Sequence, residues 1–182
     1  DYVVLDGTYG QLRVDLATGD YTYTLFDNSS AVQALRAGDT AYDAFNYTLK
    51  DSTDLTGTES LTITVHGADD SPTGTGLPAS ASVTEDVSTA VDLSALTLAD
   101  VDGIGTDTYT LTIAAGTVGA ILTATSGGGV TVGGSASGTL TLTGTLADLA
   151  TFIGSATALH YTGKLNDDTS DTLSVTLQDV TI

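Results

Sequence analysis

Short runs in which apolar residues alternate with threonine recur along the whole chain. Tyr21-Thr-Tyr-Thr-Leu25, Phe45-Asn-Tyr-Thr-Leu49 and Leu61-Thr-Ile-Thr-Val65 are the first of them. Tyr109-Thr-Leu-Thr-Ile113, Leu140-Thr-Leu142, Leu159-His-Tyr161 and Leu173-Ser-Val-Thr-Leu177 follow. A period of two places apolar side chains on one face and polar ones on the other, as a half-buried strand requires; a helix needs a period of 3.6. Threonine on the wet face is β-branched, which favours extended backbone while keeping that face soluble. Turn residues separate the runs, and 21 Gly against 2 Pro fit many tight turns. Many short strands at this spacing predict an all-β chain of sandwich or barrel type.

Two segments break the alternation. Ser29-Ser-Ala-Val-Gln-Ala-Leu-Arg36 and Leu146-Ala-Asp-Leu-Ala-Thr-Phe-Ile153 carry apolar residues at helical spacing and are expected to be short helices crossing between strands. They expose an internal repeat. Gly7-Thr-Tyr-Gly10, a strand, a glycine turn, Tyr21–Leu25, a helix, Phe45–Leu49, an acidic loop and Leu61–Val65 match a second series. That series is Gly116-Thr-Val-Gly119, a strand, a glycine-rich turn, Leu140–Leu142, a helix, Leu159–Tyr161, an acidic loop and Leu173–Leu177. The offset is about 110 residues, the length of one module. The linker Gly67-Ala-Asp-Asp-Ser-Pro-Thr-Gly-Thr-Gly76 divides residues 1–72 from residues 73–182. The second module has room ahead of Gly116 for two further strands that have no counterpart ahead of Gly7. The first module is therefore expected to lack its initial strands, and residues 1–66 to pair with another chain or form the less stable half. With no initiator Met, the chain is expected to be part of a longer polypeptide.

Composition narrows function. The chain has 23 Asp+Glu against 4 Lys+Arg, a formal net charge of -19 over 182 residues. Such a surface repels phosphate, so no nucleic-acid partner and no direct membrane contact are expected. Without Cys there is no disulfide, thiolate metal site or cysteine nucleophile. His66 and His160 each stand alone in a strand pattern and are expected to be half-buried strand residues rather than ligands. Gly127-Gly-Gly129 and Gly133-Gly134 precede neither a Lys nor a helix, so they suggest a turn rather than a phosphate cradle. Most tyrosines fall at alternating strand positions and are expected to be core. No nucleophile, base and stabiliser can be assembled from these residue types, so the chain is expected not to be an enzyme.

The carboxylates, by contrast, gather. Asp69 and Asp70 lie in the linker, Asp100, Asp102 and Asp107 in one turn, and Asn166, Asp167, Asp168 and Asp171 in another. Counting alternating strands puts both turns at the end of the second module that the linker enters. Converging carboxylate and carbonyl oxygens suit calcium (Ca2+), a hard cation that takes six to eight oxygen ligands. Asp69, Asp70, Asp100, Asp102, Asp107 and Asp168 are the expected ligands at this junction. Glu85 and Asp86, following the first strand of the second module, are expected at its far end with Asp179 as a second, partial site. Taken one at a time, these residues suit Asx turns and a solvated surface equally well.

Residues 1–72 resemble the VCBS repeat of large bacterial surface proteins. The similarity lies in Gly7-Thr-Tyr-Gly-Gln-Leu12, Gly19-Asp-Tyr-Thr-Tyr-Thr-Leu25, Ala31-Val-Gln-Ala-Leu35, Phe45-Asn-Tyr-Thr-Leu-Lys-Asp51 and Leu61-Thr-Ile-Thr-Val-His-Gly67. The second module resembles the cadherin-like modules of RTX-type adhesins through Thr84-Glu-Asp86, Ala99-Asp-Val-Asp-Gly103 and Leu173-Ser-Val-Thr-Leu-Gln-Asp179. The family linker often ends Asn-Asp-Ala-Pro; here it reads Asp69-Asp70-Ser71-Pro72, which retains two carboxylates. The resemblance implies tandem immunoglobulin/cadherin-like antiparallel β-sandwich modules, secretion to the bacterial cell surface and calcium at module junctions. It further implies a non-catalytic extender in an adhesin, whose partners are neighbouring modules of the same polypeptide and, through distal domains, a surface ligand. The alternative is a calcium-dependent module that binds sugar or peptide.

Overall fold

The computed structural model describes residues 1–180. It is built mostly of short strands in several sheets, and every strand pairing among the described residues is antiparallel. The chain divides into two compact units, Asp1–Asp70 and Ser71–Ile182.

In the first unit, β1 (Tyr2–Asp6), β2 (Gly10–Asp15) and β3 (Tyr21–Leu25) form a meander. A long hairpin of β4 (Thr40–Lys50) and β5 (Thr56–His66) forms a separate ladder. Between them lies α1 (Ser30–Gln33), shorter than its apolar spacing suggested; the Ser29 hydroxyl caps it by accepting from the Val32 amide. Alternation is visible in the burial of β4, where Ala41, Asp43 and Phe45 are buried and their neighbours exposed. The core is small: Leu12, Ala41, Phe45 and Val65, with Tyr23 set edge-on to Phe45. All five residues of β1 are exposed, as are Tyr21, Tyr42, Tyr47 and Leu49. The expectation that most tyrosines are core fails here, because two short sheets cannot cover both faces of every strand.

The second unit holds the larger core. The strands β11 (Thr131–Gly133), β12 (Thr139–Gly144), β9 (Tyr109–Ala115) and β14 (Leu173–Asp179) make one sheet in that order. A second sheet joins β10 (Ile121–Thr123), β13 (His160–Thr162) and β7 (Thr89–Ala90). β6 (Thr73–Thr75) pairs with β8 (Thr97–Ala99), so part of the expected linker is strand. Tyr109, Leu111 and Ile113 of β9 are buried against Leu140 and Leu142 of β12. The helix α2 (Leu146–Ile153) spans the expected residues; it is capped by Thr145 and turns Leu149 and Ile153 into the core.

Val83 is 47% exposed. Leu173, Val175 and Leu177 are only half-buried, because β14 is an edge strand. The strand expected ahead of Glu85 does not form. The repeat also fails to carry over to pairing: β1 pairs with β2 in the first unit, whereas in the second β9 pairs with β12 and β14 and β10 pairs with β13.

Candidate functional site

Local sequence places a carboxylate cluster at one end of the second unit. β8 runs directly into Asp100, and the loop that follows reaches β9 at Tyr109. Asp107 closes a turn inside this loop: the Ile104 amide donates to Asp107 Oδ2 at 2.7 Å, and the Asp107 amide donates to the Ile104 carbonyl at 3.0 Å. Gly103 is pressed against the Tyr109 hydroxyl and the Asp100 side chain, where a Cβ would collide with both. Tyr109 donates its hydroxyl to Asp100 Oδ2 at 2.9 Å.

The β9–β14 ladder brings Asp179 opposite Tyr109. Asp179 therefore belongs to this end of the unit, not to the Glu85 and Asp86 end as expected; β14 runs antiparallel to β9 and carries its last residue back to the Asp100 loop. Asp102, Asp107 and Asp179 are all buried, at 5%, 2% and 7% exposure. Asp100 is half-buried, and its Oδ1 is enclosed without a hydrogen-bond partner. Burial, together with the adjacent carboxylates of Asp102 and Asp179, pushes the Asp100 carboxyl above its ordinary range. Burial and Asp100 likewise push the Tyr109 phenol well above its own. The one Lys or Arg in this unit is Lys164, which lies 3.9 Å from Asp167 in a different loop. Buried carboxylates are costly unless something neutralises or hydrogen-bonds them.

Of the other expected ligands, Glu85, Asp86 and Asp168 lie elsewhere in the second unit. Asp69 is exposed and Asp70 half-buried at the close of the first unit. Glu85, Asp86 and Asp168 are exposed; Glu85 and Asp168 line a cleft with Asp167 and Asp171, while Asp86 Oδ1 accepts from the Asn166 amide at 3.2 Å. Asp168 thus stands with Glu85 rather than with the Asp100 loop. Among the described residues, no three Asp, Glu or His side chains are already gathered as a metal shell. His66 is exposed and His160 half-buried.

Two further carboxylates have a different task that sequence reading missed. Asp43 accepts from the amides of Thr8, Tyr9 and Gly10 and, at 2.6 Å, from the Tyr23 hydroxyl. Asp171 accepts from the amides of Thr117 and Thr172 and, at 2.8 Å, from the Tyr161 hydroxyl. Each pins the Gly-Thr-x-Gly turn of its own unit. Burial raises both carboxyls, but the hydrogen bonds outweigh it and hold both below their ordinary value. The Tyr161 phenol, buried against Asp171, is pushed up to about 12. The repeated Gly-Thr-x-Gly was visible in the sequence; its partners, 33 to 35 and 54 residues away, were not.

Comparison with family models, curated proteins and solved structures gives no match to this chain.

Proposed function

We propose that this chain is a non-catalytic, calcium-stiffened extender segment of a secreted bacterial surface adhesin, built of immunoglobulin/cadherin-like sandwich modules in tandem. One observation carries the reading: Asp100 Oδ1 is enclosed without a hydrogen-bond partner at the end of the second unit where Asp102, Asp107 and Asp179 are buried. The donor set is all oxygen, which suits Ca2+ and disfavours zinc or copper. Bound there, the ion would offset the cost of burying several carboxylates together. Asp102, Asp107 and Asp179 would hold it with the free oxygen of Asp100, and Gly103 lets the loop fold tightly beneath them.

Stiffening follows from chain connectivity. β8 leads into the Asp100 loop, and its pairing partner β6 is the first strand after the inter-unit boundary. Fixing the loop therefore fixes the ladder by which the chain enters the second unit. The sequence similarity to VCBS and cadherin-like modules, and the lack of any assembled nucleophile and base, support an extender over an enzyme.

Calcium titration by calorimetry, paired with small-angle scattering in calcium and in chelator, tests the reading. Uptake with a Kd of roughly 10⁻⁵ to 10⁻³ M and a narrower spread of dimensions in calcium is expected. No uptake at millimolar calcium would overturn it. Uptake that strengthens on adding a sugar or peptide would favour the ligand-binding alternative.

A further inference from the structure

Residues 77–84 read Leu-Pro-Ala-Ser-Ala-Ser-Val-Thr. Leu77, Ala79, Ala81 and Val83 alternate strictly with Pro78, Ser80, Ser82 and Thr84, the pattern of a strand buried on one face. In the structure this segment takes no strand pairing, and Leu77 and Val83 are 45% and 47% exposed. It lines a cleft of about 530 Å³. Leu173 and Val175 of β14 also line that cleft. β14 pairs with β9 on one side and, among the described residues, with no strand on the other. Its apolar residues are half-buried.

The segment is held at both ends. On one side, β6 is paired with β8. On the other, Asp86 accepts from the Asn166 amide, both residues lying in the left-handed region at φ 54, and β7 is paired with β13. A segment tethered at both ends beside an open edge meets that edge at a high effective concentration and loses little further entropy on docking. Pro78 lacks an amide hydrogen, but it falls at the start of the segment, where a strand tolerates proline.

We propose that residues 79–84 act as a strap that docks on the free edge of β14 as an added antiparallel or parallel strand and closes the cleft. Docking would turn Ala79, Ala81 and Val83 toward Leu173 and Val175 and leave Ser80, Ser82 and Thr84 in water. It would also protect β14 from pairing with another chain. The strap ends before Glu85, so the charged end of the cleft, with Asp167, Asp168 and Asp171, stays open to solvent.

Amide hydrogen exchange on the whole chain tests this, with ultracentrifugation at matched concentrations. Amides of 79–84 should exchange at least about tenfold slower than unstructured rates, independent of protein concentration. Ala81→Pro, which removes one donor in an exposed segment, should abolish that protection while α2 and β9 stay protected. The chain has no native cysteine. Ala81→Cys can therefore be combined in turn with Ser174→Cys, Val175→Cys and Thr176→Cys; a disulfide needs Cα atoms within about 7 Å, so one pair should oxidise readily and report the register. Unprotected amides at 79–84 with no cross-link would overturn the proposal. So would protection that appears only with dimer formation, which would assign the β14 edge to a second copy. None of these readouts depends on calcium, so failure here is distinct from failure of the extender reading.

Discussion

Replacing Asp43 should unfold the first unit selectively. Its carboxylate is 4% exposed and accepts three amides, at 2.7, 3.0 and 3.2 Å, besides the Tyr23 hydroxyl. Gly7 and Gly10 are pressed against this pair, and a Cβ at either would meet the Asp43 carboxylate or the Tyr23 hydroxyl. The β1–β2 turn is thus shaped around one side chain. Hydrogen bonds to a charged group each contribute about 1.5–3 kcal/mol net. The amides can regain water once the turn opens, so the four bonds do not add, and Asp43→Ala should cost about 3–5 kcal/mol. That approaches the whole stability of a small unit with a four-residue apolar core. Asp43→Asn, which keeps an acceptor of the same shape, should cost less. The sign with pH follows from the lowered carboxyl. Its stabilisation is complete above the unfolded value of 3.8 and is lost as pH falls through the folded value below it. Urea melts followed by residue-resolved NMR, from pH 7 down to pH 2, read both units at once. If Asp43→Ala leaves the first unit's midpoint unchanged, or lowers both units equally, the turn does not depend on this carboxylate.

Leu111→Ala should cost about 2–5 kcal/mol, since Leu111 is 1% exposed between Leu142 and Leu177. Val175→Ala should cost only about 1 kcal/mol, because β14 is half-covered; chemical melts of the second unit check both. In calcium-free buffer, Asp100 alone should make the second unit more stable as pH falls. A carboxyl raised in the folded state disfavours folding fully above that raised value, and the penalty fades as pH drops through it toward 3.8. Asp100→Asn should flatten that slope, and an unchanged slope would remove Asp100 as its source.

Elements governed by local pattern were legible in the sequence. Alternation located β3, β9, β12 and β14, and apolar spacing located α2. Pairing depends on distant partners, and there legibility ended. Residues 77–84 alternate as well as any strand yet stand unpaired, because alternation reports a face and not a neighbour. Asp102 and Asp107 were read as candidate ligands from composition and turn chemistry. Asp179 was assigned to the wrong end, because strand counting assumed a complete hairpin series, whereas the β9–β14 ladder sets its place. Asp43 passed unread, and Asp171 was read only as part of an acidic turn, because a carboxylate that caps a remote turn looks, in sequence, like any other surface aspartate.

The most direct measurement compares Ca2+ binding by the parent chain with that of Asp102→Asn and Asp15→Asn, each by calorimetry and by melting in calcium and in chelator. Asp102 is buried in the cluster; Asp15 lies in β2 of the first unit. The parent and Asp15→Asn should bind alike and gain stability in the second unit on adding calcium, as any ligand of the folded state confers. Asp102→Asn should lose at least about tenfold in affinity and most of that gain. Equal binding by all three chains, or none by the parent, would contradict the account.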